Sequence, residues 1–304
     1  MPRLLNYMNA VIILVSMFTV QNVLATQQQN QHSINFTEIK EYASYANASY
    51  LTTAKIRELG LLKNYTLSHY SSIPDIHVSY FLLTNDLTKT QIIAVRGTSN
   101  IENAIIDVAL KLTRDEHAGI GLHNGFSQAA QAIYKEIKPK IRADYQINTT
   151  GHSLGGAVAL ILAMYLDTDQ FKTGQVITFG QPKVTNIPGA NKFKHLNITR
   201  VVTPKDLVPL VPPFDPVDIN NLDIYWHIGK EVILFPDTTY AMLQGMSSML
   251  RATKFTQEPL NENNLKNHQM SLYLDMLDKK IPTAKLVPFK NSLNLFNWFS
   301  NETQ

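Results

Sequence analysis

Hydrophobic and polar positions along this chain follow two different periods. Ala43, Ala46, Tyr50 and Ala54 recur at helical spacing and predict a helix over residues 36–60. Short apolar runs bounded by turn residues predict strands over residues 77–83, 91–95, 145–150, 175–179 and 199–203, and one or two more over 225–235. Between and after these runs, helical patterns cover residues 127–137, 156–166 and 265–277.

The alternation of strands and helices predicts an α/β fold. Parallel strands need crossover connections, so we expect a mostly parallel central sheet with helices on both faces. A chain of 304 residues with 44% hydrophobic and 17% charged residues can bury a large core. We therefore predict a single domain over residues 26–281, followed by an aromatic C-terminal tail over residues 282–304.

The first 25 residues have the pattern of a secretory signal peptide. Arg3 precedes an apolar run from Val11 to Val20, and Ala25 is a small residue just before a polar stretch. The alternative is a membrane anchor, but a run of about ten residues is shorter than the roughly 20 that span a bilayer. We expect a secreted or periplasmic protein, cleaved near Ala25, with no transmembrane helix after cleavage.

Composition narrows the possible chemistry. The net charge of +3 gives no argument for nucleic acid, and the absence of cysteine excludes a thiol nucleophile and thiolate metal sites. Asp218 and Asp223 are either weak cation ligands or part of a solvated loop, and we expect neither a metal ion nor a cofactor. Sequons of the Asn-x-Ser/Thr type matter only in a host that glycosylates, and they begin at Asn35, Asn47, Asn64, Asn148, Asn197 and Asn301.

The clearest chemical motif is Gly151-His152-Ser153-Leu154-Gly155, which lies between a predicted strand and a predicted helix. In a G-x-S-x-G turn the serine stands at the tip of a strained bend, and larger side chains at the two glycine positions would collide with the crossing elements. The N–H of Leu154, at the start of the helix, is placed to donate to an oxyanion. The alternatives are an ordinary turn and a dinucleotide-type glycine loop.

The order serine, acid, histidine limits the partners of Ser153. Asp206 follows the strand over residues 199–203, and the working acids of parallel sheets lie at the carboxyl ends of strands. His268 follows a polar loop, whereas His227 lies in an apolar, strand-like stretch, so His268 suits a base that must reach the serine. His123 and His152 are expected to be structural, and Asp167 and Asp169 to be solvated turn residues.

Two further segments follow the strand over residues 91–95. The backbone at Gly97 can approach a substrate closely, so this strand end is either the place of a second oxyanion donor or a plain turn. The apolar residues of the next segment fall on one helical face, which fits either a cover over the site or an ordinary amphipathic helix. They are Ile101, Ala104, Ile105, Val108 and Leu112.

Several ordered segments together resemble the class 3 lipase family, also called fungal-type lipases, over roughly residues 80–275. They are Val95-Arg-Gly-Thr-Ser99, Leu122-His-Asn-Gly-Phe126, Thr150-Gly-His-Ser-Leu-Gly-Gly156, Ile177-Thr-Phe-Gly-Gln-Pro182, Val202-Thr-Pro-Lys-Asp-Leu-Val-Pro209 and Asn267-His268. The resemblance implies an α/β-hydrolase fold, a triad of Ser153, Asp206 and His268, and no cofactor. It points to Thr98 as the second oxyanion donor, beside Leu154.

In this family the segment after Thr98 is a lid over the active site. The resemblance therefore implies a lid helix whose apolar residues include Ile101, Ala104, Ile105 and Val108. The chain departs from the family at Ala104, where the relatives usually have a tryptophan, and a smaller side chain buries less surface on a lipid interface.

The expected function is that of a secreted serine hydrolase that cleaves carboxylic esters of lipids, as a triacylglycerol lipase or a phospholipase A1-like enzyme. Its partners would be a lipid or ester substrate and, transiently, a lipid interface. A short-chain or feruloyl-type esterase would use the same triad, and a non-catalytic binding protein on the same fold is the third alternative.

Overall fold

The computed structural model describes residues 34–59, 64–74, 78–97, 112–212, 224–252 and 266–289. The chain divides into a short unit, residues 1–36, and a large unit, residues 37–304, to which the architecture below belongs. Several predicted features lie outside the described residues. They are the signal peptide, Thr98, the lid residues Ile101, Ala104, Ile105 and Val108, the acidic pair Asp218 and Asp223, and the tail beyond residue 289.

A nine-stranded sheet forms the centre of the large unit, in the order β1-β2-β3-β6-β7-β9-β11-β12-β13. The middle strands are parallel to one another, and they are β3, β6, β7, β9 and β11. On one side β2 pairs antiparallel with β3 and with β1, and on the other side β12 pairs antiparallel with β11. The strands are β1 Thr66–Ile73, β2 Val78–Asn85, β3 Thr90–Val95, β6 Gln146–His152, β7 Lys172–Phe179, β9 Asn197–Val202, β11 Lys230–Leu234, β12 Thr239–Gln244 and β13 Lys285–Leu286. The predicted mostly parallel α/β sheet is confirmed, and β13 lies in the segment predicted as the tail.

Helices cover both faces of this sheet. They are α1 Phe36–Ala48, α2 Thr53–Glu58, α3 Asn124–Ile137, α4 Leu154–Thr168, α5 Ile187–Lys192, α6 Met246–Ala252 and α7 Met270–Asp278. Ile93, Val95 and Ile147 point to the face that packs against α3 and α4. On the opposite face, the Thr150 hydroxyl reaches the Tyr42 carbonyl of α1 at 3.4 Å. No helix in the described part of the chain has the length and apolar character that crossing a membrane requires.

Helix α4 is the core of the large unit, because every residue from Gly155 to Leu166 is buried. A helix that is apolar on all sides is stable only when other elements surround it, and α4 packs against α3 and strands β3, β6 and β7. Its start lies so close to the sheet that a Cβ at Gly155 would be 2.3 Å from the Val95 carbonyl oxygen. A Cβ at Gly151 would be 2.4 Å from the backbone of Gly155. The expectation that only glycine fits these two positions is confirmed.

A second, smaller sheet was not predicted. It has four antiparallel strands in the order β10-β8-β5-β4, with β4 Leu112–Asp115, β5 Ile120–His123, β8 Thr185–Asn186 and β10 Tyr225–Trp226. Strands of two to four residues carry too little alternation to be seen in a sequence. Leu112, predicted to end the amphipathic helix, instead begins β4 and pairs with His123.

Two predicted helices have different limits in the structure. The continuous helix over residues 36–60 is wrong, because α1 ends at Ala48 and α2 begins at Thr53. Thr52 has an extended backbone, and its hydroxyl accepts from the Lys55 N–H at 3.5 Å, so it starts a new helix. The helix predicted over residues 265–277 is α7, and His268 precedes it rather than opening it.

A local irregularity marks the pairing of β6 with β7. The register shifts between Ile147 and Thr149, and the Asn148 side chain fills the gap. Its Oδ1 accepts from the Gln175 N–H at 2.8 Å, and Asn148 is buried. Gly174 on β7 leaves the room that Asn148 occupies, since a Cβ there would come within 2.0 Å of Oδ1.

We predict that Gly155→Ala destabilises the protein by more than about 3 kcal/mol, because the new Cβ would meet backbone atoms that cannot move aside. Gly125→Ala is the matched control. Gly125 is exposed in α3, and a Cβ there would have its nearest contact at an ordinary 3.7 Å. Because alanine favours helix, this control should be neutral or stabilising by up to about 1 kcal/mol. Urea unfolding of both variants checks the prediction, and equal stabilities would contradict it.

Candidate active site

Ser153 stands in the turn between β6 and α4. Its φ of 58° and ψ of −132° lie where residues with side chains are strained, at a cost of order 1–3 kcal/mol. The surrounding backbone holds the turn, because the Ser153 N–H donates to the Phe179 carbonyl at 2.9 Å and its own carbonyl accepts from Gly156 and Ala157. Backbone strain that the surrounding structure holds in place at a single serine points to a chemical role for that residue.

Backbone lies close to the serine on two sides. Leu154 is the first residue of α4, so its N–H belongs to the unpaired, positive end of the helix. Gly97, at the end of β3, approaches from the other side, since a Cβ on it would lie 3.2 Å from the Ser153 Cβ. Thr98, the predicted second donor, follows Gly97 directly and lies outside the described residues.

Asp206 is completely buried in the loop after β9. Its Oδ1 accepts from the Val208 N–H at 2.9 Å. Its Oδ2 accepts from the His268 Nδ1 at 2.7 Å and from the Tyr273 hydroxyl at 2.5 Å. Burial and the neighbouring Asp206 carboxylate raise the pKa of Tyr273 well above its ordinary value, so the phenol stays protonated and donates. Three donors thus hold the carboxylate in one orientation.

His268 lies just before α7 and is also completely buried. Because Nδ1–H donates to Asp206, the neutral ring presents Nε2 as an acceptor, and Nε2 has no hydrogen-bond partner among the described residues. The His268 ring lies 4.4 Å from the ring of His152, the residue before Ser153. The structure therefore brings His268 and Asp206 to the end of the sheet where Ser153 lies.

His152 has the structural place expected for it. Its Nε2 donates to the His268 carbonyl at 2.7 Å, so Nδ1 accepts from the Tyr50 hydroxyl at 2.9 Å. Burial, with a smaller contribution from His268, lowers the pKa of His152 well below its ordinary value, and the ring stays neutral. Tyr50 lies in the break between α1 and α2, so this break supplies a hydroxyl to the site.

Gly180 makes room for the Asp206–His268 pair. Its φ is +56°, and a Cβ on it would lie 2.6 Å from His268 Cε1 and 2.9 Å from Asp206 Oδ2. Its N–H donates to the Val201 carbonyl at 3.0 Å, which fixes the turn after β7. Any side chain at this position would separate the two residues.

The remaining candidates lie elsewhere. The His227 Nε2 donates to the Pro209 carbonyl at 2.7 Å, and burial lowers the pKa of His227 well below its ordinary value, so His227 is a neutral, internal residue that bonds to Pro209 and not to Asp206. Asp167 and Asp169 pair with exposed or half-buried side chains at the end of α4. In the residue ranges given above, no three His, Asp or Glu side chains group as metal ligands.

Sequence reasoning missed three residues of this site. Tyr50 looked like one more apolar position of a helix, and Gly180 lay in a quoted segment without a role. Tyr273 was assigned only to a helical pattern. The positive φ of Gly180 and the contacts of the two tyrosine hydroxyls with other elements exist only in the folded protein. In the sequence, only the residue types, tyrosine and glycine, could have drawn attention to these positions.

A mostly parallel sheet whose fourth strand leads into a strained serine turn is the architecture of the α/β-hydrolases. A structure of mono- and diacylglycerol lipase from Aspergillus oryzae has this fold, with a TM-score of 0.64, 21% identity, and coverage of 81% of this chain and 100% of that one. A lipase structure from Yarrowia lipolytica has a TM-score of 0.58 and 27% identity, and covers 69% of this chain and 85% of that one.

Sequence comparison shows which family part of the chain resembles. Residues 92–215 match the family model described as lipase (class 3). A secreted mono- and diacylglycerol lipase of Fusarium solani is 34% identical over 145 residues, which are 45% of this chain and 43% of that protein. The chain thus spans less than half of the length of this curated relative. Over residues 92–215 the chain is therefore similar to the class 3 lipase family.

We predict that replacing His123 by phenylalanine removes a destabilisation of the protein at acidic pH. His123 is stacked on Phe126 at 4.0 Å, and neither ring nitrogen has a hydrogen-bond partner among the described residues. Burial lowers its pKa to about 4. In the unfolded chain His123 therefore binds a proton below about pH 6.5, whereas in the folded chain it does so only below about pH 4. The folded state loses stability as the pH falls through this window.

The wild type should lose about 1.4 kcal/mol more than His123→Phe between pH 7.5 and pH 5.5. Urea unfolding of both proteins at the two pH values measures this difference. Parallel pH dependence of the two proteins would show that His123 is charged in the folded state.

Proposed function

We propose that this chain is a serine hydrolase that cleaves carboxylic esters of lipids, such as acylglycerols or phospholipids. The observation that carries the proposal is the strained Ser153 turn at the same end of the sheet as the buried Asp206–His268 pair. A serine hydroxyl is a weak nucleophile unless a base takes its proton, and the base needs a third group to orient it.

The proposed reaction uses Ser153, His268 and Asp206 as a triad. Nε2 of His268 takes the proton of Ser153 while the serine oxygen attacks the ester carbonyl carbon. Asp206 holds the Nδ1–H and stabilises the imidazolium that forms. The imidazolium then protonates the departing alcohol, which leaves an acyl-enzyme. Water, deprotonated by the same nitrogen, releases the carboxylic acid and regenerates the serine.

The negative oxygen of each tetrahedral intermediate requires donors that are already in place. We assign this role to the N–H of Leu154 and to Thr98. The start of α4 supports the first assignment, because its partial positive charge favours an anion. Gly97 supports the second, since its lack of a side chain lets the β3 end come close to Ser153.

The family-model match over residues 92–215 and the relatives' names support lipid esters as the substrate class. The Fusarium relative is named a secreted mono- and diacylglycerol lipase, which favours acylglycerols. A short-chain or feruloyl-type esterase would use the same three residues. A panel of esters of graded chain length distinguishes the two, because a lipid ester hydrolase turns over long acyl chains and a short-chain esterase does not.

We further propose that the segment preceding β4 is a lid that contacts a lipid interface transiently. Ile101, Ala104, Ile105 and Val108 would form its apolar face, and the lid ends before Leu112, where β4 begins. Because Ala104 buries less apolar surface than a tryptophan, the open lid gains less from an interface. We expect modest activation above the substrate's solubility limit.

Export of the protein is also proposed. The N-terminal pattern supports it, and the Fusarium relative is named a secreted protein. Residues 1–25 would be removed and the domain beginning at residue 26 released outside the cell or into the periplasm. N-terminal sequencing of the protein recovered from the medium or periplasm tests the cleavage near Ala25.

We predict that a fluorophosphonate probe labels the wild type at Ser153 and that Ser153→Ala abolishes both labelling and ester hydrolysis. Loss of a triad nucleophile costs on the order of 10⁶-fold in kcat. Ser127→Ala is the matched control, because Ser127 is a buried serine whose hydroxyl bonds to Asp115 at 2.6 Å. The control should keep full labelling. An unlabelled wild type would favour the non-catalytic binding protein.

The two histidines that follow Asp206 should respond differently to substitution by alanine. We predict that His268→Ala is as damaging to kcat as the serine change, because nucleophile and base act as one unit. His227→Ala should keep its turnover but lose stability, since it removes the bond to the Pro209 carbonyl and leaves a cavity. Kinetics and thermal melting of both variants measure this. A folded but inactive His227→Ala with an active His268→Ala would reverse the assignment.

A further inference from the structure

Behind the Asp206 loop, the structure buries a cluster of charged side chains that the proposed reaction does not use. Glu231 on β11 is 1% exposed, and Arg200 on β9 is completely buried beside it. Helix α6 adds Ser248 and Arg251, which are 2% and 4% exposed. Charges this deeply buried are costly unless hydrogen bonds satisfy them.

Glu231 is the anion of the cluster. Its Oε1 accepts from the Arg251 Nη1 at 2.7 Å, and its Oε2 accepts from the Ser248 hydroxyl at 2.6 Å. Arg200 donates to the Ser248 oxygen at 2.8 Å and to the Ile228 carbonyl at 3.0 Å. Ser248 and Arg251 thus bind the same carboxylate from one face of α6, three residues apart.

Arg251 makes one contact that Ser248 does not make. Its second nitrogen, Nη2, donates to the Thr203 carbonyl at 3.0 Å. Thr203 is the residue that follows β9 and begins the loop to Asp206. The planar guanidinium therefore joins Glu231, on the rigid sheet, to the backbone of the acid loop, with two nitrogens in fixed relative positions.

Thr203 in turn touches both catalytic loops. Its carbonyl also accepts from the Asp206 N–H at 3.3 Å, and its hydroxyl donates to the Asn267 carbonyl at 3.2 Å. Asn267 immediately precedes His268. One residue that Arg251 holds is therefore bonded directly to the acid and to the neighbour of the base.

We propose that Arg251 is a positioning residue for the reaction: through Thr203 it fixes the Asp206 and His268 loops relative to each other. The inference rests on the proposed function. Arg251 touches neither substrate nor the reacting atoms. Its action is to hold the Nδ1–H···Oδ2 bond at 2.7 Å, which keeps the His268 ring, and with it Nε2, in one orientation.

Arg251→Lys keeps the charge beside Glu231 but replaces the fork by a single ammonium group, which cannot hold Glu231 and Thr203 in the same fixed geometry. We expect kcat to fall on the order of 10-fold, with KM within about twofold of wild type, because misplacing a catalytic group by less than 1 Å is costly to the chemical step alone. Ser248→Ala is the matched control. It cuts the same cluster without touching Thr203, and should lower Tm but leave kcat unchanged.

Thr203→Val provides a second test, since it keeps the ion pair and removes only the hydroxyl that reaches Asn267. It should lower kcat like Arg251→Lys. If Arg251→Lys and Thr203→Val both keep wild-type kcat, or if Ser248→Ala lowers kcat as much as they do, the cluster is merely structural and the proposal is wrong.

A readout that needs no turnover separates this proposal from the proposed function. The Nδ1 proton of His268 is buried in a hydrogen bond, and nuclear magnetic resonance measures its rate of exchange with water. We expect faster exchange in Arg251→Lys and Thr203→Val than in Ser248→Ala. If the probe does not label the wild type, but exchange is still faster in Arg251→Lys and Thr203→Val than in Ser248→Ala, the esterase function is refuted and the positioning role of Arg251 is retained. Equal exchange in all variants would refute the positioning role alone.

Discussion

Backbone-to-backbone approach at the start of α4 is the constraint on which the rest of the structure depends. The helix meets β3 and β6 at distances that leave no space for a Cβ at Gly151 or Gly155. Because the apolar body of α4 is buried on all sides, its position is fixed by the core and the strain is concentrated in the residue that enters it. That residue is Ser153, and its unusual φ follows from packing rather than from its own preference.

Around this turn, burial of the polar side chains away from water fixes their protonation states. His152 is held neutral and Tyr273 is held protonated, so each can play only one hydrogen-bonding part. Asp206 accepts from three donors, which orients it without any exposed contact. The orientations of these side chains are therefore fixed without a bound substrate. Groups whose dipoles are already oriented in this way stabilise a charge that develops beside them.

The sequence was sufficient for the elements that carry strong patterns. The parallel strands, the buried helix after the serine and the two glycines beside it follow from periodicity and from steric necessity at a sharp turn. Two-residue strands such as Thr185–Asn186 were missed, because alternation needs several residues to be visible. The break at Thr52 was missed as well, since its hydroxyl competes with the helix through a local bond that periodicity ignores.

In the candidate site, residue order and position predict Asp206 and His268 as the partners of Ser153, but the sequence did not predict the residues around them. Their neighbours come from elements that are far apart in the chain, and they are Tyr273, Tyr50 and Gly180. Thr203 and Arg251 are further examples, since 48 residues separate them and no local pattern connects them. Such contacts become visible only when the sheet brings its strand ends together.

The buried side chain of Asn148 has a consequence for how the protein can be made. Asn148 begins an Asn-x-Thr sequon, yet its amide fills the irregular gap between β6 and β7 and lies against Gly174. An oligosaccharide on this nitrogen would occupy the volume of the central sheet, which cannot open without losing the core. In a cell that attaches such sugars during synthesis, molecules modified at Asn148 cannot complete the fold. The yield of native protein then depends on how often this one site escapes modification.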